Sequence, residues 1–233
     1  MAIKIWRPSP IISGMEEMDK ASILKAFEYA IANGATVSSN SYGLLVSTST
    51  LNQLKNQYTN IANNNPQHLF VFASGNSQTS VNGICKMEIP AFICVAASTS
   101  ADSKASSSST DKNLVHVFAP GEGIKSTNNG KWKYSKKSGT SFAAPFVSGL
   151  AALIMSIKTM TAIETKNYIL DNVQVKSQYA NYVSSSGLLD AYATINAVIG
   201  EAGEFLFFFH DLACLQKKLF CFQLPKGVQI GNG

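Results

Sequence analysis

The chain has 233 residues, of which 45% are hydrophobic and 14% are charged, with a formal net charge of +5. This length and apolar content are typical of one substantial globular core with room for a tail, and they exclude a disordered chain. The basic residues are scattered apart from Lys131–Lys137, and no basic–aromatic motif accompanies them, so we expect no nucleic-acid partner. No run of about 18 apolar residues is present, so we expect no transmembrane segment.

The first half of the chain alternates helical and extended patterns. Apolar residues recur at helical spacing from Met18 to Ala32, and Asn33-Gly34 then supplies a stop signal. ATVSSNSYG predicts a short strand that ends at a turn, and a second helix is predicted from Thr50 to Asn63. The continuously apolar stretch HLFVFASGN predicts a buried strand that ends in Gly-Asn.

The second half continues this alternation. FICVAAS and LVHVFAPG predict two further strands, and we interpret the serine-rich residues 100–113 between them as a surface loop within the domain. The apolar run that follows Gly-Thr-Ser predicts a buried helix, in which Pro145 is compatible with an early position. A polar-faced helix near Ala162–Asn172 and a last helix over GLLDAYATINAVI complete the pattern.

Helices that alternate with short, continuously apolar strands indicate the α/β class, with a mainly parallel sheet covered on both faces. Ligands of such sheets bind beyond the carboxyl ends of the strands. Two candidate loops follow strand ends there, Ser41-Tyr42-Gly43 and Ser74-Gly75-Asn76. Residues after about Ile199 have no clear place in the pattern, so we divide the chain into a domain, 1–198, and a tail, 199–233.

Ser141 lies near the start of the predicted buried helix, where backbone N–H groups and the helix dipole favour an anion. This is a suitable place for a nucleophilic serine whose reaction generates an oxyanion. Taken alone, a serine there is more often only an N-cap, and Asn76 is more often a turn residue. In the functional interpretation, the Asn76 amide donates a hydrogen bond to the developing oxyanion.

The four cysteines, Cys85, Cys94, Cys214 and Cys221, lack the spacing of zinc ligands. Cys94 lies in an apolar strand pattern and is expected to be buried. A disulfide between Cys85 and Cys94 stays open as an alternative, and cysteine usage does not determine the compartment. The N-terminal residues lack the long apolar segment of a signal peptide, so we expect none within this chain.

Five ordered motifs carry a family resemblance. They are Asn40-Ser41-Tyr42-Gly43, Ala73-Ser74-Gly75-Asn76, Val117–Gly121, Gly139–Gly149 (GTSFAAPFVSG) and Gly187–Ala191 (GLLDA). The fourth matches the nucleophile signature G-T-S-x-A-x-P-x-V-x-G, which fixes many positions. On these motifs, over roughly residues 18–198, the chain resembles the subtilisin-like serine proteases (subtilases, peptidase family S8).

The resemblance implies a three-layer subtilisin-like α/β fold and hydrolysis of a peptide or protein substrate through an acyl-enzyme on Ser141. It implies that Asn76 belongs to the oxyanion hole. It also implies that the substrate lies along two segments: Ser41, Tyr42 and Gly43, and Ala73, Ser74 and Gly75. The family favours the secretory pathway or the extracellular space, and calcium is frequent in it, but no loop here identifies calcium ligands. Substrate specificity and oligomeric state are not determined by the sequence.

The sequence also departs from the family pattern. The triad Asp in a D-[ST]-G turn and the triad His in an H-G-T-H helix are both absent from it. His68, His116 and His210 lack that context, and we interpret them as structural or incidental. We therefore expect the C-terminal part of a subtilase catalytic domain, without the N-terminal strands and with little activity by itself. The alternative is a non-catalytic subtilase-like module that binds an extended peptide along Ser41–Gly43.

Overall fold

The structure, a computed structural model, describes residues 5–6, 20–43, 47–128 and 134–201. The helices in these ranges are α1 (Lys20–Ala32), α2 (Thr48–Asn64), α3 (Thr140–Ile157), α4 (Ala162–Asp171) and α5 (Ala191–Glu201). The strands are β1 (Ile5–Trp6), β2 (Val37–Asn40), β3 (Leu69–Ala73), β4 (Phe92–Ser98), β5 (Val117–Pro120), β6 (Ile124–Thr127), β7 (Tyr134–Lys137), β8 (Gln174–Val175) and β9 (Gly187–Leu188).

Seven strands form one sheet in the order β1-β2-β3-β4-β5-β9-β8, and β6 and β7 form a separate antiparallel hairpin. All neighbours in the large sheet are parallel except β9 and β8. Every residue of β3 and of β4 is buried, because helices cover both faces. This explains the continuous apolar character of the two strands and confirms the predicted α/β class with a mainly parallel sheet.

One face of the sheet packs against α1 and α2 through aromatic rings. Phe27 of α1 meets Phe70 of β3 edge-on at 5.0 Å between ring centroids. Tyr58 of α2 meets Phe92 of β4 at 5.7 Å. Because side chains alternate along a strand, Leu69, Val71 and Ala73 face the other side, which α3 covers with α4 and α5 beside it.

Helix α3 runs through the middle of the domain, in contact with β2, β3, β4 and β5. Among the described residues it is the one helix with the length and hydropathy of a membrane span, and 56% of it is buried inside the fold. That burial is typical of a core helix. Its unbroken apolar sequence is therefore explained by contacts within the domain.

Cys85 and Cys94 form a disulfide, which decides the alternative that the sequence left open. The bond joins a single 3-10 turn, Cys85–Met87, to the middle of β4. Cys94 is buried as expected. Cys214, Cys221, His210 and almost all of the predicted tail lie outside the described residues.

The structure differs from the sequence-based predictions in three places. Gly187–Leu188 is a strand, and the last helix begins only at Ala191, because these two residues pair with β5 and β8. The hairpin of β6 and β7 was not predicted, since its strands are short and mostly exposed. The serine-rich loop does lie within the domain, but Ser108 and Ser109 are fully buried in it.

Candidate active site

The first turn of α3 lies against three strand ends at the carboxyl edge of the sheet. Ser141 contacts Ser41, which follows β2, and Thr140 contacts Asn76, which follows β3. The Gly139 N–H donates to the Gly121 carbonyl, just after β5, at 2.7 Å. The fold thus gathers at one edge all the residues that the sequence singled out: Ser41, Tyr42, Gly43, Ala73, Ser74, Gly75, Asn76 and Ser141.

The amide of Asn76 is held in one orientation by Thr140. Its Oδ1 accepts from the Thr140 backbone N–H at 2.9 Å and from the Thr140 hydroxyl at 3.1 Å. The other end of the amide, Nδ2, is therefore the donor end. Among the described residues no oxygen accepts a hydrogen bond from Nδ2, and the Asn76 side chain is exposed. An anion near the start of α3 can accept a hydrogen bond from Asn76 Nδ2.

Gly139 allows the close approach between α3 and Asn76. Its φ is 137°, in the region that favours glycine, and a Cβ built there would lie 3.2 Å from Asn76 Nδ2. Any side chain at this position would strain the backbone and crowd the amide. The sequence motif identified Gly139, but not this steric reason for it.

Ser141 and Ser41 exchange two hydrogen bonds. The Ser141 hydroxyl donates to the Ser41 carbonyl at 3.3 Å, and the Ser41 hydroxyl donates to the Ser141 carbonyl at 2.9 Å. The second bond has a clear cause in the helix. The residue four positions after Ser141 is Pro145, which has no N–H to donate to that carbonyl. Ser41 supplies the missing donor.

Asn82, which none of the sequence motifs singled out, fixes the segment Ser41-Tyr42-Gly43. Its Nδ2 donates to the Tyr42 carbonyl and to the Ala73 carbonyl, each at 2.9 Å. In extended backbone, alternate residues direct their polar groups to opposite sides. The Tyr42 carbonyl thus faces Asn82, while the carbonyl of the preceding residue, Ser41, accepts from Ser141. The Asn82-Gly83 pair is typical of a turn, so local sequence gave no signal of this role.

The buried part of the serine-rich loop holds the segment around Asn76 in place through hydrogen bonds. The Ser74 hydroxyl donates to the Ser109 carbonyl at 2.7 Å, and the Ser109 hydroxyl accepts from the Ser77 N–H at 3.1 Å. Gly75 has a φ of 114°, and a Cβ there would lie 3.1 Å from Ser109 Oγ. Ser109 therefore fixes the backbone on both sides of Asn76, a role that its position in a serine run did not reveal.

The two described histidines are bound elsewhere. His68 Nδ1 lies 2.7 Å from the Ala35 carbonyl, and its Nε2 lies 3.1 Å from the Ser38 hydroxyl. Burial lowers the pKa of His68. His116 precedes β5, not within it as predicted, and its Nδ1 accepts from the Cys94 N–H at 2.9 Å. Neither ring hydrogen-bonds to Ser141, which agrees with a structural role for both.

His116 shares a buried site with Lys166. Its Nε2 lies 3.0 Å from Lys166 Nζ, which also donates to the Phe92 carbonyl at 2.8 Å. Burial, with the Lys166 charge as a second cause, lowers the pKa of His116 to about 3. Burial lowers the pKa of Lys166 to about 8. Because Phe92 begins β4, this pair lies at the amino edge of the sheet, opposite the edge that carries Ser141.

A metal site of acidic or histidine ligands does not fit the described part of the chain. No group of three or more His, Cys, Asp or Glu residues that could hold a metal ion occurs within it. The calcium that the family resemblance allows therefore has no such ligand cluster among these residues.

A model of the subtilase family, Peptidase S8, matches residues 6–192. The chain belongs to the subtilase family. This match covers the whole candidate site, from the Ser41 loop to helix α3, which carries Ser141. The family resemblance found in the motifs is thereby confirmed.

Named relatives of this subtilase are proteases. It is 32% identical over 178 residues to subtilisin BL of Lederbergia lenta, over 75% of this chain and 58% of the relative. It is 32% identical over 144 residues to an extracellular basic protease of Dichelobacter nodosus, over 57% of this chain and 24% of that protein. The chain thus spans less than two thirds of the length of these curated relatives.

A solved structure supports the same fold. The prenylagaramide maturation protease PagA superposes with a TM-score of 0.66 over 79% of this chain and 69% of that chain, at 24% identity. At this identity the likeness shows the fold alone. It confirms the predicted subtilisin-like arrangement of a mainly parallel sheet between helical layers.

Proposed function

We propose that this chain is the nucleophile-bearing part of a subtilisin-like serine endopeptidase, with Ser141 as the nucleophile. The observation that carries the proposal is the fixed Asn76 amide. Thr140, the residue before Ser141, holds the Asn76 oxygen, so the amide presents beside the start of α3 an N–H donor that has no acceptor among the described residues. A serine hydroxyl, an aligned amide donor and a helix N-terminus together suit a reaction that creates an oxyanion.

In the proposed reaction, Ser141 Oγ bonds to the scissile carbonyl carbon while its proton passes to a base. The negative charge that develops on the carbonyl oxygen receives hydrogen bonds from Asn76 Nδ2 and from backbone N–H at the start of α3. Collapse of this intermediate breaks the C–N bond, and the leaving amine takes up the proton. Water then hydrolyses the acyl-enzyme on Ser141 by the same steps in reverse order.

Within the part of the chain that the structure describes, no base contacts the Ser141 hydroxyl. The Ser141 hydroxyl donates to a backbone carbonyl, while His68 and His116 are committed to other partners. We propose that the triad Asp and His are not part of these 233 residues, since neither family motif occurs in the sequence. In subtilisin, loss of the serine or the histidine lowers kcat by about 2 × 10⁶. We therefore expect very slow hydrolysis by this chain alone.

The proposed substrate is an extended peptide along the polar edge of Ser41–Gly43. Asn82 holds the Tyr42 carbonyl and Ser141 binds Ser41, so this segment is fixed beside the proposed nucleophile, where an extended peptide can add to it as a strand. The same edge supports the alternative function, a subtilase-like module that binds peptides without cleaving them. The two functions differ in whether Ser141 can be acylated.

We also propose an oxidising compartment, in the secretory pathway or outside the cell. The buried Cys85–Cys94 disulfide supports this, because structural disulfides persist in oxidising environments. One of the relatives is named an extracellular basic protease.

Chemical rescue tests the proposed nucleophile. The chain is incubated with an activated ester, with and without added imidazole to replace the missing base, and the Ser141 peptide is examined for an acyl group by mass spectrometry. We expect imidazole-dependent acylation at Ser141 and none in Ser141→Ala. A folded chain that binds peptide but shows no acylation of Ser141 under these conditions would favour the binding module instead.

A further inference from the structure

The hairpin of β6 and β7 lies directly beside the first turn of α3, which carries Ser141 and is called the nucleophile turn below. The hairpin has no part in the function proposed so far. Its two ends are fastened there by hydrogen bonds: the Gly123 N–H donates to the Ser138 hydroxyl at 3.0 Å, and Gly139 donates to Gly121 at 2.7 Å. The strand β7 ends at Lys137, which precedes Ser141 by four residues. The hairpin is therefore part of the rim of the candidate site.

The outer face of the hairpin is basic and aromatic. Antiparallel pairing places Lys125 opposite Lys136 and Thr127 opposite Tyr134, and all four residues are exposed. Lys125 Nζ lies 5.8 Å from the centre of the Tyr134 ring, which confirms that the two side chains share this face. The other face carries Ser126 and Ser135, which are half-buried, so the hairpin covers the domain on one side and meets solvent on the other.

The two opposed lysines are an unfavourable pair in the isolated chain. Like charges directly opposite each other destabilise an antiparallel ladder. Neither Lys125 nor Lys136, nor the adjacent Lys137, forms an ion pair with any residue that the structure describes. A single carboxylate that binds between Lys125 and Lys136 would remove their repulsion and gain two ion pairs, so the face is complementary to an acidic ligand.

The hairpin and the Ser41–Gly43 edge lie on opposite sides of the nucleophile turn. Along the carboxyl edge of the sheet, Ser141 contacts the end of β2, Thr140 contacts the end of β3, and Gly139 contacts the end of β5, from which the hairpin starts. Lys136 is five residues from Ser141, so their Cα atoms are at most about 18 Å apart. A peptide at about 3.3 Å per residue covers that distance in roughly five residues.

We propose that this hairpin binds acidic residues of the peptide substrate, in the half of the peptide that lies beyond the scissile bond from the Ser41–Gly43 edge. The inference rests on the proposed function and adds a substrate class to it. We favour an acidic peptide over a nucleic acid because the basic face lies across the first turn of α3 from the proposed peptide-binding edge.

Peptide binding, which requires no catalytic base, tests this proposal. Two fluorescein-labelled peptides have the same sequence in one half. The other half is a run of Glu in the first peptide and a run of Gln in the second. Their affinities for the full chain are measured by fluorescence anisotropy at low and at high salt. The variants are Lys125→Glu with Lys136→Glu, and the milder Lys125→Gln with Lys136→Gln. The matched control is Lys25→Glu with Lys55→Glu, which changes the net charge equally at exposed lysines of α1 and α2. Circular dichroism checks folding.

We expect the Glu peptide to bind roughly two- to thirtyfold more tightly than the Gln peptide at low salt, as two exposed ion pairs would provide. The preference should vanish in both hairpin variants and at high salt, and should persist in the α1/α2 control.

Four outcomes would overturn the inference. Equal affinities for the Glu and Gln peptides would contradict the acidic preference, but would not contradict the proposed peptide-binding edge. An equal loss of preference in the α1/α2 control would show attraction to net charge only. A single-stranded oligonucleotide that competes as well as the Glu peptide would show a general polyanion surface. Failure to bind either peptide would contradict the proposed edge as well, which separates the two failures.

Discussion

The Ser41 hydroxyl donates to the Ser141 carbonyl at 2.9 Å and so replaces the helical hydrogen bond that Pro145 cannot make. The two serines are 100 residues apart in sequence. This bond fixes the first turn of α3 to the end of β2 and thereby sets the position of the proposed nucleophile. Ser41 is therefore a positioning residue as well as part of the proposed substrate edge.

Replacing Ser41 with Ala should lower the free energy of unfolding by about 1–2 kcal/mol, because the Ser141 carbonyl loses its donor. Urea unfolding measures the change, with Ser80→Ala, an exposed serine of a neighbouring loop, as the matched control. Pro145→Ala restores an N–H at the position that would serve this carbonyl. The cost of Ser41→Ala should therefore shrink in the Pro145→Ala background, and additive costs in this double-mutant cycle would contradict the coupling.

Replacing Asn76 with Asp tests the oxyanion donor without removing the contact to Thr140. The Asp side chain keeps an oxygen to accept from Thr140 but has no N–H to donate. We expect imidazole-supported acylation of Ser141 to fall by about 10²–10³. Thermal unfolding should change little, because Asn76 is exposed. Acylation at the unchanged rate would remove Asn76 from the mechanism.

Gly139→Ala should destabilise the chain by about 1–3 kcal/mol and slow acylation as well, because its φ of 137° and the contact with Asn76 leave no place for a methyl group. Gly149→Ala is the control. A Cβ at Gly149 would meet nothing within 4 Å, and the residue is inside α3, so the change should stabilise the protein by about 0.5–1 kcal/mol. Equal effects of the two substitutions would contradict this explanation.

The stability of the domain should fall as pH falls from about 6.5 towards 3. The pKa of His116 is lowered to about 3 in the fold, so the unfolded chain binds more protons across this interval. The contribution is complete above pH 6.5 and is lost in acid. His116→Asn, which keeps an acceptor for the Cys94 N–H, should flatten the melting temperature against pH. Some slope should remain, because the pKa of His68 is lowered too.

Lys136→Glu should raise the free energy of unfolding by about 0.2–1 kcal/mol, since it converts a like-charge pair opposite Lys125 into an attractive one. Lys25→Glu serves as an exposed control on α1. The same substitution should weaken binding of the acidic peptide. If the variant is more stable but binds the acidic peptide more weakly, the lysine pair serves binding at the expense of stability. No gain in stability would show that the two ammonium groups are not close enough to repel each other.

Local sequence determined the helices and the buried central strands of this protein, but not the β6–β7 hairpin or β9. Apolar runs of five to seven residues in β3 and β4, and the small-and-apolar run of α3, predicted buried strands and a buried helix because hydrophobic burial on both faces leaves a pattern within a few neighbouring residues. The motifs around Ser41, Asn76 and Ser141 placed three polar positions at element ends. The topology of parallel strands was enough to predict that those ends share one edge.

Tertiary structure decided how those positions are oriented. The Asn76 amide takes its direction from Thr140, 64 residues away, and the segment after β2 takes its direction from Asn82, 40 residues away. The same holds for the burial of Ser108 and Ser109 and for the opposition of Lys125 and Lys136 across a hairpin. Hydrogen bonds and charge pairs of this kind form between residues that are far apart in sequence. Their distances are fixed only when the chain packs, so they cannot be predicted from a pattern of neighbouring residues.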